Sequence, residues 1–356
     1  MKTLNKMRWI MGIVTMGVSL LSQAYPGESI VLDPVTGDYT ITYWDPEEPA
    51  GLEDTTFVPA TKIDPAIFSK FQLGDAGIVT YSYTVSNGAA AKQAIIGLSL
   101  EQTERVKGER DVPLGATATV SEVGQAFLAN TSALNSPASW SGNIYRLRES
   151  RIVWRPDDLK TGGVQAGSTQ AGFSFSSLAL PGVSMARMDG IGAVFGYAGD
   201  GPAQDSAILA ELNRLQDNDF IARPAAVPTI AVPTPFNAAV TLERIQTHVH
   251  SWIGMKLLDP AFSAQLDTSF KGAIDAYRSN QPKAGKSAIK SLRELLKKAY
   301  PDLDNEDIVD EETSNNKPVL SKAEGGAQFK NGMIARLPAR VLDFDLKYVL
   351  KQVGEE

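Results

Sequence analysis

Tyr43-Trp44-Asp45-Pro46-Glu47-Glu48 sets two aromatic rings beside three carboxylates. Such a group supports two chemistries. A pair of acids flanking a glycosidic bond can protonate the leaving oxygen and activate or supply the nucleophile. An exposed ring can instead stack on a sugar while carboxylates accept its hydroxyls, with no bond broken. Adjacent acids do not define a hydrolytic pair, because the fold assembles that pair. Tyr43, Trp44, Asp45, Glu47 and Glu48 are therefore the candidate ligand-binding set, and no catalytic residue is singled out.

Seven acids fall within Asp302 to Glu312. Asp302, Asp304 and Glu306 have the spacing that opens a calcium loop, and hard oxygen ligands suit calcium. Asp307 stands where that loop needs glycine, and Thr313 where it needs glutamate. The stretch from about 302 to 330 reads as a solvated acidic loop. His248 and His250 are the sole histidines. Two residues apart on a helix they point about 200° apart, so they do not share a metal from its regular surface. Gly190-Ile191-Gly192-Ala193-Val194-Phe195-Gly196 has a dinucleotide-like spacing, but Gly199-Asp200-Gly201-Pro202 follows where a helix must start. It reads as a glycine-rich strand packed closely on its neighbours. The chain has no cysteine, which excludes disulfides, thiol nucleophiles and thiolate metal sites. No cofactor and no metal site are expected.

The elements that must position these residues fall into two rhythms. Before about residue 200 the apolar residues mostly alternate. Ser29 to Trp44 reads as a hairpin, with Tyr39, Ile41 and Tyr43 on one face. Asp64-Pro65 with Ile67, Phe68 and Phe71 reads as one helical turn capped by Asp64. Val79, Tyr81, Tyr83 and Val85 share one face of the firmest strand; Thr80, Ser82, Thr84 and Ser86 share the other. Asn87-Gly88 reads as the turn into a partner strand carrying Ile96, Leu98 and Leu100. This stretch of about 25 residues resembles the central strands of exported bacterial immunoglobulin-like or fibronectin-like β-sandwich modules. The resemblance implies a sandwich and carries no functional residues. Trp140, Tyr145, Trp154, Phe173 and Phe175 extend the β pattern as core, and a short helix bearing Ile208, Leu212 and Leu215 is expected behind an Asp205 cap.

Arg223 to Pro235 holds four prolines, which fix φ and remove backbone donors. It reads as a proline-rich linker over 223–236. Beyond it the period becomes helical. Leu242, Ile245, Val249, Trp252 and Ile253 form one stripe, and Phe262, Leu266, Phe270, Ile274 and Tyr277 a second behind Asp259-Pro260. Ile289, Leu292, Leu295, Leu296 and Tyr300 form a third behind Pro282. Val341, Leu342, Leu346, Val349 and Leu350 mark a fourth helix at roughly 340–353. The expected fold class is α+β in two domains: an antiparallel β-sandwich over 25–222, then an up-down bundle of three to four helices over 237–356.

Lys2, Lys6 and Arg8, the apolar run Trp9 to Leu21, and Ser22-Gln23-Ala24 together read as a secretory signal peptide over 1–24. The run is too short for a span of about twenty residues, so no transmembrane segment is expected after cleavage. Removing those three cations takes the net charge from −7 to −10. That acidity and the lack of a basic stripe exclude nucleic acid as a partner class. The expectation is an exported binding or display module, periplasmic or extracellular, whose partner is a glycan or another cell-surface protein. Its alternatives are a secreted carbohydrate-active hydrolase and a structural or assembly protein of the cell surface.

Overall fold

Proline can sit in a sheet only where its missing N–H is not needed, and the chain uses that exception at residues 224 and 228. The computed structural model describes residues 25–45, 51–101, 134–145, 151–159, 161–193, 201–202, 206–217, 219–304 and 333–354. In it the segment read as a linker is mostly a strand, β12, Ile221–Ile230. It ends a five-stranded antiparallel sheet by pairing with β10, Leu180–Asp189. The Ala226 amide donates to Ser69 Oγ at 3.0 Å, and the Ala226 carbonyl accepts from the Tyr83 hydroxyl at 2.7 Å. Even-numbered backbone groups of β12 therefore face away from β10. Pro224 and Pro228 share that phase, so neither removes a bond from the ladder. The two-rhythm reading of the chain survives; the linker does not.

The rest of this sheet is β6, Gly97–Glu101, β8, Arg151–Pro156, and β7, Trp140–Tyr145, in the order β12-β10-β6-β8-β7. Against it lies a three-stranded sheet of β4, Pro65–Leu73, β5, Val79–Asn87, and β9, Thr169–Ser177. Rings fill the space between. Trp154 lies 5.6 Å from Phe173 and 6.3 Å from Tyr83 and Phe175, and Trp140 meets Phe173 edge-on at 5.0 Å. This is the antiparallel sandwich that the alternation of β5 requires.

Two local readings are corrected. Asp64-Pro65 opens strand β4 rather than a helical turn, because Pro65, Ile67 and Ser69 alternate inward and the Asp64 amide is taken by Asn87 Oδ1 at 3.0 Å. Asn87-Gly88 closes no hairpin with β6. The buried Asn87 amide nitrogen donates to Gln93 O and Val164 O, so this residue clamps a crossing from one sheet to the other.

Four helices follow among the described residues: α2, Ala238–Gly254; α3, Pro260–Arg278; α4, Pro282–Ala299; and α5, Arg336–Gln352. Their ordering signals act as their chemistry requires. Asp259 accepts from the Ala261 and Phe262 amides, and Pro260 and Pro282 occupy first-turn positions. The buried stripes of α2, α3 and α4 face one another, while α5 packs on α2, α4, β10 and β12. One continuous set of buried side chains therefore runs from Tyr83 and Trp154 to Phe270 and Leu292.

A smaller core lies apart. It is built by the sheet β1-β2-β3-β11 and a covering helix α1, Ala207–Gln216. The strands are β1, Ser29–Leu32, β2, Tyr39–Trp44, β3, Leu52–Val58, and β11, Gly192–Ala193. Ser206 caps α1 by accepting from the Ile208 amide at 3.1 Å. The expected cap, Asp205, lies outside the described residues, as do 1–24 and 305–332.

Candidate binding face on the N-terminal sheet

Alternation along β2 separates the residues that the sequence puts side by side. Tyr39, Ile41 and Tyr43 point toward α1, where Ile41, Tyr43, Phe57, Ile208 and Leu212 are buried together. Thr40, Thr42 and Trp44 point the other way, in cross-strand rows with Val31 and Thr56, Ser29 and Asp54, and Leu52. Trp44 and Tyr43 therefore belong to opposite faces, and a ligand on one does not touch the other.

The aromatic end of the open face is assembled by one acid. Glu28 accepts from the Tyr25 amide at 3.2 Å, the Trp44 amide at 3.2 Å and the Ser206 hydroxyl at 2.7 Å, tying strand, N-terminal turn and helix cap together. Trp44 stacks on Tyr25 at 6.4 Å and 13°. Gly51, at φ +73°, lies against the Trp44 ring so closely that a Cβ would fall 2.3 Å from it. The ring is thus held by neighbours and is 36% exposed.

The described carboxylates do not converge. Glu53 accepts from the Tyr43 hydroxyl at 2.9 Å on the α1 side, and Asp54 accepts from Thr42 at 2.5 Å on the open side. Asp45 is buried, and its amide donates to Gly51 O at 3.0 Å. Glu47 and Glu48 lie outside the described residues.

The opposite end of the face is aliphatic. Val31 of β1 lies on this face and is 57% exposed, Leu32, in the row of Tyr39, lies on the other face and is 49% exposed, and Val35 at the hairpin tip is 91% exposed. The tip is a fixed turn: Asp33 accepts from the Val35 amide and the Thr36 hydroxyl, both at 2.8 Å, and the first of these bonds mainly lowers its pKa. The Lys62–Asp38 ion pair ties its far side down. β1 ends its sheet with no lysine, proline or bulge within Ser29–Leu32 to discourage a further strand.

The other candidates are placed as follows. His248 Nε2 accepts from the Val183 amide at 2.8 Å, and burial lowers its pKa to about 4. His250 is exposed and meets Asp267 at 2.7 Å. The two do not share a partner. Asp302 and Asp304 belong to a short 3-10 turn, Pro301–Asp304, while Glu306 lies outside the described residues. Gly190 sits on the Gln93 amide, where a Cβ would fall 2.4 Å away, and Ile191 N donates to Gln93 Oε1. Close packing explains that glycine. Among the described residues no group of three or more His, Asp or Glu side chains is placed to hold a metal. Nor is any helix there long and apolar enough to cross a membrane.

One residue was not singled out by sequence reasoning. Asp345 of α5 is 1% exposed, and neither of its oxygens has a hydrogen-bond partner among the described residues. A signal was present: Asp345 lies four residues after Val341 and four before Val349, on the apolar stripe itself.

No family model matches the chain, and no curated protein does. Among solved structures, a protein of Nocardia farcinica whose title reports an immunoglobulin-like fold is similar to part of it. The match has 15% identity and a TM-score of 0.23, and covers 39% of this chain and 91% of that one. The sandwich described above rests on its strand pairing and not on this likeness.

Proposed function

We propose that the chain is an exported, non-catalytic binding module whose working surface is the open face and free edge of the N-terminal sheet. Its partner on this reading is another protein of the cell surface, which adds an extended segment to β1. The observation that carries the proposal is the exposure of Val31, Leu32 and Val35 along and beyond an edge strand. An unpaired strand edge offers a row of amides and carbonyls, and alternating apolar side chains add specificity. Export is supported by the basic, apolar and small-residue succession of residues 1–24.

The chemistry favours protein over glycan. Sugars are held by a free ring face with convergent polar groups, whereas Trp44 is packed by Tyr25 and Gly51. Hydrolysis would need two acids across one bond. Among the described residues Glu53 and Asp54 project to opposite faces, each bonded to a hydroxyl of β2.

Capture from the exported proteins of the source cell, with wild type and Val31→Lys compared, tests the reading. The expected outcome is one protein retained by wild type, lost on Val31→Lys, and confirmed by titration of the purified pair. A glycan panel scored for retention and turnover supplies the opposite outcomes. Turnover lost on Glu47→Gln or Glu48→Gln would establish the hydrolase, and glycan retention lost on Trp44→Ala would establish a lectin. A stable homo-complex on gel filtration that Val31→Lys dissolves would place the chain among assembly proteins.

A further inference from the structure

Helix α5 is buried on almost every side, from Leu337 to Leu350. Its polar residues are otherwise accommodated. Asp343 lies between Arg293 of α4 at 2.7 Å and Lys347 at 2.8 Å. Arg340 lies over the rings of Phe68 and Phe71 and donates to Ser69 O at 3.2 Å. Asp345 alone among them has both oxygens enclosed and without a hydrogen-bond partner among the described residues. On α2, which packs against α5, Trp252 Nε1 is also buried without an acceptor among the described residues.

We propose that Asp345 makes the seating of α5 conditional on a proton: the helix docks with this carboxyl neutral and loosens from the sheets and helices around it when the carboxyl ionises. A buried carboxylate with no donor is far costlier than a buried carboxylic acid. Burial alone holds the Asp345 carboxyl well above the usual range. In the loosened state water solvates the group and its ordinary acidity returns. The docked state therefore binds one more proton, and its advantage falls as pH rises from the ordinary carboxyl range toward the raised value.

Asp189 of β10 is also held above its ordinary range by burial, with Arg155 at 3.9 Å, and burial raises Tyr348 of α5. Other charged and titratable groups on the surrounding elements have partners of their own. Tyr81 of β5 donates to Ala179 O and feels the Asp345 charge; Tyr83 donates to Ala226 O. Arg223 of β12 donates to Pro65 O, and Arg244 of α2 to Ala231 O. Arg293 of α4 and Lys347 of α5 hold Asp343. Arg187 of β10 lies over Phe220. His248 of α2 titrates in the opposite sense, losing its bond to Val183 as pH falls. Its effect lies below its ordinary value and is separable from that of Asp345. The start of α5 is pinned by the Ala335 amide to Leu257 O, and the Asp259 amide to Met333 O, so loosening acts on the helix beyond a fixed root.

Amide hydrogen exchange over 336–352 in the full chain, corrected for intrinsic base catalysis, tests this between pH 7 and pH 9, above the range in which His248 acts. In wild type the protection factor should fall by up to about tenfold per pH unit while the docked carboxyl stays neutral. In Asp345→Asn and in Asp345→Leu it should be flat over that range. A flat wild-type profile, or a variant that keeps the wild-type slope, overturns the proposal. So does failure of both variants to fold, which would mean that the carboxyl has a partner on which the core depends.

Discussion

β12 and β1 both end a sheet, and their compositions predict the reverse of their positions. β12 carries two prolines and looks unfit for a sheet, yet it is buried, because its outward amides and carbonyls meet Ser69 and Tyr83 of the facing layer. β1 reads Ser-Ile-Val-Leu, suits a sheet interior, and stands at the sheet edge among the described residues. What decides an edge is therefore the phase of its backbone donors against its neighbours, not its propensity. Proline in the outward phase of β12 spares the ladder and leaves only the Ala226 amide between them to be satisfied.

That contrast can be broken most sharply at Ala225. Its amide lies in the phase that faces β10, so Ala225→Pro should cost about 3 kcal/mol or more in urea unfolding, although two prolines already flank it. An unchanged midpoint would show that the assigned phase is wrong. A second test concerns His248, which accepts from Val183 on the other side of β10. Its folded pKa is depressed, so the neutral form stabilises the fold fully above about 6.5 and loses effect as pH falls toward about 4. Stability should drop by about 2 kcal/mol between pH 7 and pH 4.5, and His248→Gln should flatten that drop. In the N-terminal sheet, Gly51→Ala should cost about 1 kcal/mol and shift tryptophan emission, because it forces a left-handed residue against the Trp44 ring. The smallest effect belongs to the open edge. Val31→Lys should change stability by no more than about 0.5 kcal/mol while abolishing partner capture.

Much of the architecture was legible where burial is one-sided. β5 declared itself by strict alternation, and α2 to α4 by stripes with Asp259-Pro260 and Pro282 at their starts, because each such element has one wet face to contrast with its dry one. β10 was illegible for the complementary reason. Leu180 to Ser184 are buried in succession, and Pro181-Gly182 reads as a break. Pairing was legible only in part: β1 and β2 form the expected hairpin, while Asn87-Gly88 looks like a turn and acts as a clamp through its side chain. At the candidate site, alternation already assigned Tyr43 and Trp44 to opposite faces, which their adjacency obscured. The exposure of β1 depends on what fails to cover it, and no local pattern encodes that. The isolation of Asp345 likewise depends on neighbours more than 250 residues away in sequence, such as Tyr81.

The central place of α5 also orders events during synthesis. Strands β10 and β12 leave the ribosome more than a hundred residues before the helix that covers them. Until residues 336–352 emerge, the apolar surfaces of β10 and β12 that α5 covers are without that cover in the nascent chain.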